Sequence, residues 1–254
     1  MSSIAERHKY ILDSLNKNGF IKVADIAQEL NVTAVTIRKD LKYLEEKKLL
    51  LRTHGSASPV NQLTSELHIG EKEKIKRKEK ESIALAACDL IEERDTIILT
   101  AGSTVYTFAQ KLIPSKGLTI VTPSLKIALH LAENPDVTII QLGGTVRKSS
   151  FSVIGESSTN FLASITCSKL FLGVDGIDPK FGITNSSIEE ATLNQHMIDT
   201  ALKIIILADS SKFGRRGFGK ICNLDQIDTI ITDAGISDNM RMQIEEAGVE
   251  LIIV

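Results

Sequence analysis

In the first fifty residues apolar side chains recur three or four positions apart, a spacing that gathers them on one face of an α-helix. Ile4, Ile11 and Leu15 mark a first helix that stops at Asn18-Gly19, a C-terminal cap signal. Phe20-Ile21-Lys22 is short and extended, and Val23, Ile26, Ala27 and Leu30 mark a second helix of two turns. Asn31-Val32-Thr33 makes the turn, with Thr33 as N-cap, and Ala34, Ile37, Leu41 and Leu44 set the buried stripe of a third helix. The following stretch, 49–56, reads as extended and then turning. Three helices and a β-wing in this order predict a winged helix-turn-helix.

Periodicity fades over 55–70, where Gly, Ser, Pro and Asn collect. The Glu/Lys run at 71–81 then leads into Ile83-Ala-Leu-Ala-Ala and reads as the solvated start of a helix. From about residue 95 the pattern changes to short apolar runs at 96–99, 119–122, 137–142, 169–174, 204–207, 229–232 and 249–254. Amphipathic segments at 105–112, 125–132, 187–201 and 239–247 lie between them. Apolar strands alternating with helices predict an α/β domain, with a doubly wound parallel sheet covered on both faces. The expected division is a winged helix-turn-helix domain at 1–57, a linker at 58–74 and an α/β domain at 75–254.

Charge adds an asymmetry. Residues 1–60 hold ten Lys/Arg and seven Asp/Glu of the chain's 30 and 32, so a mildly basic start precedes an acidic body. The three cysteines, Cys88, Cys167 and Cys222, have no disulfide-framework or metal-type spacing, and the five histidines show no paired spacing, so neither metal nor cofactor is expected. The start lacks the apolar core of a signal peptide, and no apolar run approaches the ~18 residues of a membrane span, so the expected location is cytoplasmic with no membrane partner.

With Ile37 buried, helical geometry turns Val35, Lys39 and Lys42 outward, with Thr36 and Arg38 on the shoulders. Two cations, a cationic shoulder, a hydroxyl and a small apolar group suit a DNA major groove, and Arg52 and His54 sit on the wing near an adjacent phosphate or the minor groove. The order Val-Ala-Asp-Ile-Ala-Gln-Glu-Leu, turn, Thr-Ile-Arg-Lys-Asp-Leu and Arg-Thr-His-Gly resembles the DNA-binding module of the deoxyribose-operon repressor (DeoR) family. That resemblance implies DNA contact by Thr33, Thr36, Arg38, Lys39, Arg52 and His54. Ser56 stands where the family usually has a second glycine after the wing histidine.

In the second domain, strand ends carry the chemistry. The strand at 97–100 runs into Ala101-Gly102-Ser103-Thr104 and then a helix, a junction suited to phosphate. Thr122 and Ser124, Gly143-Gly144, and Asp175-Gly176-Ile177-Asp178 follow the next strands, and Lys212 follows another. A lysine to neutralise phosphate, with carboxylates to accept bonds from sugar hydroxyls, describes a polyol-phosphate pocket. Gly143-Gly144 with Arg147, Leu172-Gly-Val-Asp-Gly-Ile-Asp178, Asp209-Ser-Ser-Lys-Phe213 and Ile231-Thr-Asp-Ala234 resemble the sensor domain of the same family. Ala-Gly-Ser-Thr-Val and Glu-Ala-Thr-Leu-Asn-Gln-His-Met look closest to repressors of hexitol and amino-sugar operons.

The resemblance implies a fold like ribose-5-phosphate isomerase and glucosamine-6-phosphate deaminase, and a phosphorylated sugar or polyol as effector. Thr100, Pro123 and Asn194 stand where the family usually has Asp, Asn and often Lys, which bears on which sugar fits. Catalysis is the alternative. The deaminase-like motif would carry His where Ile177 stands, and isoleucine moves no proton; the Gly-rich, lysine-bearing stretch of the isomerase is absent from 179–185. The expected protein is a repressor that binds double-stranded operator DNA as a homo-oligomer, dimer or tetramer, because one recognition helix reads too few bases. A ligand-dependent activator stays open, since sequence does not give the sign of coupling. The expected route of coupling is the helical segment at 71–90.

Overall fold

Residues 4–18, 20–47, 49–53, 55–59, 67–113 and 117–254 are described by a computed structural model. The chain begins with α1 (Ile4–Asn18), β1 (Ile21–Lys22), α2 (Val23–Glu29), α3 (Ala34–Glu46), β2 (Leu50–Thr53) and β3 (Ser56–Pro59). Strand β3 pairs antiparallel with both β2 and β1, so the short extended segment before α2 completes the wing as a three-stranded sheet. Ile11, Leu15, Ile26, Ile37, Leu41, Leu44, Leu50 and Ala57 form the core of this module. A turn at Asn31, whose φ is +51°, separates α2 from α3, and the Thr33 side chain caps α3 by accepting from the Thr36 N–H at 3.2 Å.

Between the two cores lie α4 (Ile69–Lys72) and α5 (Arg77–Cys88), joined by a turn that ends on left-handed Lys76. The segment from residue 67 packs on the second domain, where the Ile69 N–H donates to Ser149 O at 2.8 Å. The charged run here is not uniformly solvated. Lys80 is only 3 % exposed, because its Nζ turns inward to the carbonyls of Lys72 and Ile75, each at 2.5 Å.

The α/β domain contains β4 (Thr96–Leu99), α6 (Ser103–Lys111), β5 (Leu118–Thr122), α7 (Leu125–Leu131), β6 (Val137–Gln141), β7 (Thr145–Arg147), β8 (Ser152–Ile154) and α8 (Glu156–Leu162). It continues with β9 (Cys167–Gly173), β10 (Gly176–Asp178), β11 (Gly182–Asn185), α9 (Ile188–Thr200), β12 (Ala201–Leu207), β13 (Gly219–Cys222), β14 (Thr229–Thr232), α10 (Asp238–Glu246) and β15 (Glu250–Ile253). Seven strands form one parallel sheet in the order β15-β14-β12-β9-β4-β5-β6. All seven apolar runs read from the sequence are these strands. Alternate residues serve opposite faces: Ile97, Leu99, Phe171, Ile205 and Leu207 pack with α5 and α6, while Ile98, Leu170, Leu172, Ile204 and Ile206 pack toward α9 and α10.

The strand order fixes where a ligand fits. From β4 the chain winds outward through β5 to β6, and from β9 it winds the other way through β12 and β14 to β15. The carboxyl ends of β4 and β9 therefore flank the topological switch point, the crevice where open parallel sheets bind ligands.

Candidate functional site

Two surfaces carry functional chemistry. On the first module Thr33, Val35, Arg38, Lys39, Lys42 and Arg52 are exposed and Thr36 is half-buried, while His54 lies outside the described residues. Val35 is 57 % exposed in the middle of this cationic face, an apolar group with no packing role there. Thr33 is occupied as a helix cap, so its hydroxyl already bonds within α3.

The helix behind this face is held by a residue that the sequence reading did not single out. Asp40, in the middle of Thr-Ile-Arg-Lys-Asp-Leu, points away from the exposed face and accepts from Arg7 Nε at 2.5 Å and a second Arg7 nitrogen at 2.8 Å. His8 Nε2 lies 3.1 Å from the same carboxylate. Burial opposes its ionisation, but the hydrogen bonds from Arg7 and His8 hold its carboxyl below the usual aspartate value. This bidentate pair fixes α3 against α1 and so sets the angle at which the exposed face is presented.

The second surface lies at the switch point. Ala101, Gly102, Ser103 and Thr104 at the start of α6, Gly173 and Asp175 after β9, and Lys212 line one pocket with Lys72 from α4, Ser149, Ser150, Asn185 and Glu190. Next to it, the Thr100 hydroxyl accepts the Gly173 N–H at 2.9 Å and ties the ends of β4 and β9 together. Asp175 is the electrostatic centre. It accepts from Lys72 Nζ at 2.8 Å, lies 3.8 Å from Lys212 Nζ, and takes the N–H and hydroxyl of Ser186 at 3.1 and 2.7 Å. Burial works against its charge, yet the two lysines keep its carboxyl well below the usual carboxylate range. Burial also lowers Lys212, with Asp175 opposing that shift. The space among these groups is about 40 Å³, room for ordered water beside the lysines.

At the far end of the pocket Glu190 accepts from the hydroxyls of Ser150 and Ser152 at 2.6 and 2.8 Å, with Arg147 Nε at 3.4 Å. A neighbouring recess shares Ala101, Asn185 and Glu190 and adds Pro123 and Asn194, so two of the family departures sit together beside the pocket.

Of the residues expected from strand ends, Ala101, Gly102, Ser103, Thr104, Asp175 and Lys212 meet. The others serve the fold. The Thr122 hydroxyl donates to Leu99 O and Ser124 caps α7. Gly143 and Gly144 are exposed where the chain turns into the β7–β8 hairpin, and Gly143 O accepts from Ser158. Gly176 is buried against the backbone of Arg215, and Asp178 accepts from the N–H groups of Lys180 and Phe181 and from Arg216. Lys72, Asn185 and Glu190 escaped sequence reading. Lys72 sits in a charged run with nothing to distinguish it, and no local pattern places the other two in a pocket.

A reading helix on a wing, joined to a sheet with a charged pocket at its switch point, defines a DNA-binding regulator with a sensor domain. A family model described as the DeoR-like helix-turn-helix domain matches residues 7–62, and one described as the DeoR C terminal sensor domain matches residues 75–234. The chain belongs to the DeoR family of transcriptional regulators. It is 34 % identical over 251 residues to an uncharacterized HTH-type transcriptional regulator, YulB, of Bacillus subtilis (strain 168), covering 99 % of this chain and 97 % of that one. It is 32 % identical to a putative aga operon transcriptional repressor of Escherichia coli O157:H7, covering 100 % and 95 %. A lactose phosphotransferase system repressor of Staphylococcus epidermidis (strain ATCC 35984) is 34 % identical, with 90 % and 91 % covered.

Proposed function

We propose that the protein represses a carbohydrate-utilisation operon in the cytoplasm and is released from, or retained on, its operator by a phosphorylated sugar or polyol. The observation that carries this reading is the convergence of Lys72 and Lys212 on Asp175 beside the start of α6. A helix start and two ammonium groups suit a phosphate, and Glu190, Asn185 and Ser150 offer partners to hydroxyls at the other end. The repressor names of two relatives support the operon class.

Asp175 gives the site a way to respond. It engages both lysines, and a phosphate entering the pocket competes for them. A phosphate that takes Lys72 parts it from Asp175, which releases α4 to move. Lys80 on α5 holds the carbonyl of Lys72, which passes that movement into the helix leading away from the DNA module. A ligand shifts DNA binding only through such a difference between states. Two copies of the reading head on half-sites make the working unit a homo-oligomer.

Binding without turnover is favoured by Ile177, which is fully buried among apolar side chains and offers no proton to a sugar. The test is a thermal-shift screen with sugar and polyol phosphates, inorganic phosphate as control, followed by anisotropy of labelled DNA. A sugar phosphate should raise stability with occupancy and change DNA affinity. Binding with no effect on DNA, or consumption of the ligand, would refute the reading.

A further inference from the structure

The loop that carries Lys212 also reaches the DNA module. From Lys212 the chain passes Gly214, whose carbonyl accepts from the Ser56 hydroxyl of the wing at 3.3 Å, and Arg215, whose guanidinium lies 4.9 Å from the centre of the Phe20 ring. The next residue, Arg216, lines an open cleft of about 400 Å³ together with Arg38 of α3, Arg52 of the wing, Glu45 and Ser56. Glu45 lies 3.6 Å from Arg52 and Asp178 pairs with Arg216, so two of these three guanidinium charges have a carboxylate beside them. Three guanidinium groups therefore border the cleft, and one of them comes from the sensor domain.

Arg216 is held ready for an anion. Its Nε donates to Asp178 at 2.9 Å, and its guanidinium lies 4.9 Å from the centre of the Phe181 ring. Asp178 is 1 % exposed and fixed by two backbone N–H groups, so the carboxylate anchors Arg216 from behind without filling the cleft. The loop itself is pressed onto the β10–β11 hairpin. A Cβ at Gly176 would lie 2.5 Å from Arg215 O, and one at Gly217 would lie 2.4 Å from Asn185 O. Side chains at either position would push the loop, and Arg216 with it, away from the wing.

We infer that Arg216 of the sensor domain joins Arg38 and Arg52 in binding a backbone phosphate of the DNA. The cleft opens between the reading helix and the wing, and an arginine fork suits a phosphate diester. Such a contact positions the protein on the duplex without reading sequence. It also places a DNA contact four residues along the chain from the pocket lysine, so movement of Lys212 reaches DNA directly. The inference rests on DNA binding by the helix-turn-helix module.

The test uses the full chain and a fluorescein-labelled, mixed-sequence DNA duplex titrated at several salt concentrations. Arg216→Ala should weaken binding roughly tenfold at low salt and lower the slope of log affinity against log salt by about one. Arg216→Lys should restore most of that slope and, by keeping a cation beside Asp178, should melt like the wild type; both variants are titrated well below their own melting temperatures. Unchanged duplex affinity and slope in Arg216→Ala would overturn the assignment. If that variant loses only the binding of inorganic phosphate, the cleft holds a free anion and the assignment fails equally. Tighter duplex binding would mean that the loop blocks the module instead. No duplex binding by the wild type would sink the DNA-binding reading and this site together.

Discussion

The two functional regions use charge in opposite ways. On the reading helix Arg38, Lys39 and Lys42 face solvent above an apolar core, and the one buried charge, Asp40, is matched by a bidentate arginine. In the sensor pocket the charges face inward: Asp175 and Lys212 are largely buried together, and Lys72 completes the set from another element. A solvated face costs little to maintain and attracts a polyanion over a distance. Enclosed charges must be paired until a ligand replaces one partner, which makes them sensitive to what enters. On the function proposed above, the difference suits one region to a permanent binding surface and the other to a switch.

The sharpest way to break this comparison is Asp40→Ala. It leaves Arg7 buried without its partner and should destabilise the module by about 3 kcal/mol, abolishing DNA binding while a sugar phosphate still stabilises the sensor. Calorimetry and anisotropy on the same sample check this, and unchanged DNA affinity would show that the pair does not hold α3. Next in size, Arg38→Ala should cost about 2 kcal/mol of DNA affinity and leave ligand-induced thermal shifts intact. Lys212→Ala should lower effector affinity roughly tenfold and leave DNA affinity without effector within about twofold. Collapse of DNA binding with a normal effector response would reverse the roles assigned to the two regions.

The smallest expected effect concerns pH. Burial pushes the Lys80 ammonium down to about 8 from an ordinary 10.5. The unfolded chain therefore binds more protons at Lys80 between those values, and stability from this group rises with pH across that window. Relative to Lys80→Met, the wild type should gain about 1 kcal/mol between about pH 8 and 9, read from denaturant melts at each pH. A constant difference between the two proteins would remove Lys80 as a buried cation.

Much of the fold was legible because it depends on short-range periodicity. The spacing of Ile11 and Leu15, of Ile37, Leu41 and Leu44, and the seven apolar runs give helices and strands wherever they pack. The 71–81 run was less legible: a lysine in a charged stretch looks solvated, and only packing against α4 turns Lys80 inward. The pocket was half legible. Strand ends carrying Gly, Ser, Thr, Asp and Lys are visible as a class, but Thr122, Ser124 and Asp178 look identical in sequence to residues that reach the pocket.

By itself the sequence determined the winged helix-turn-helix, the parallel α/β sheet and the family, because periodicity and ordered motifs are local properties of the chain. Only the tertiary structure decided which strand ends meet, since proximity at the switch point depends on strand order. Lys72 and Asp175 are 103 positions apart, and Ser56 and Gly214 are 158 apart. No local pattern encodes contacts at such separations, and on them rest both the charged pocket and the link from the sensor loop to the wing.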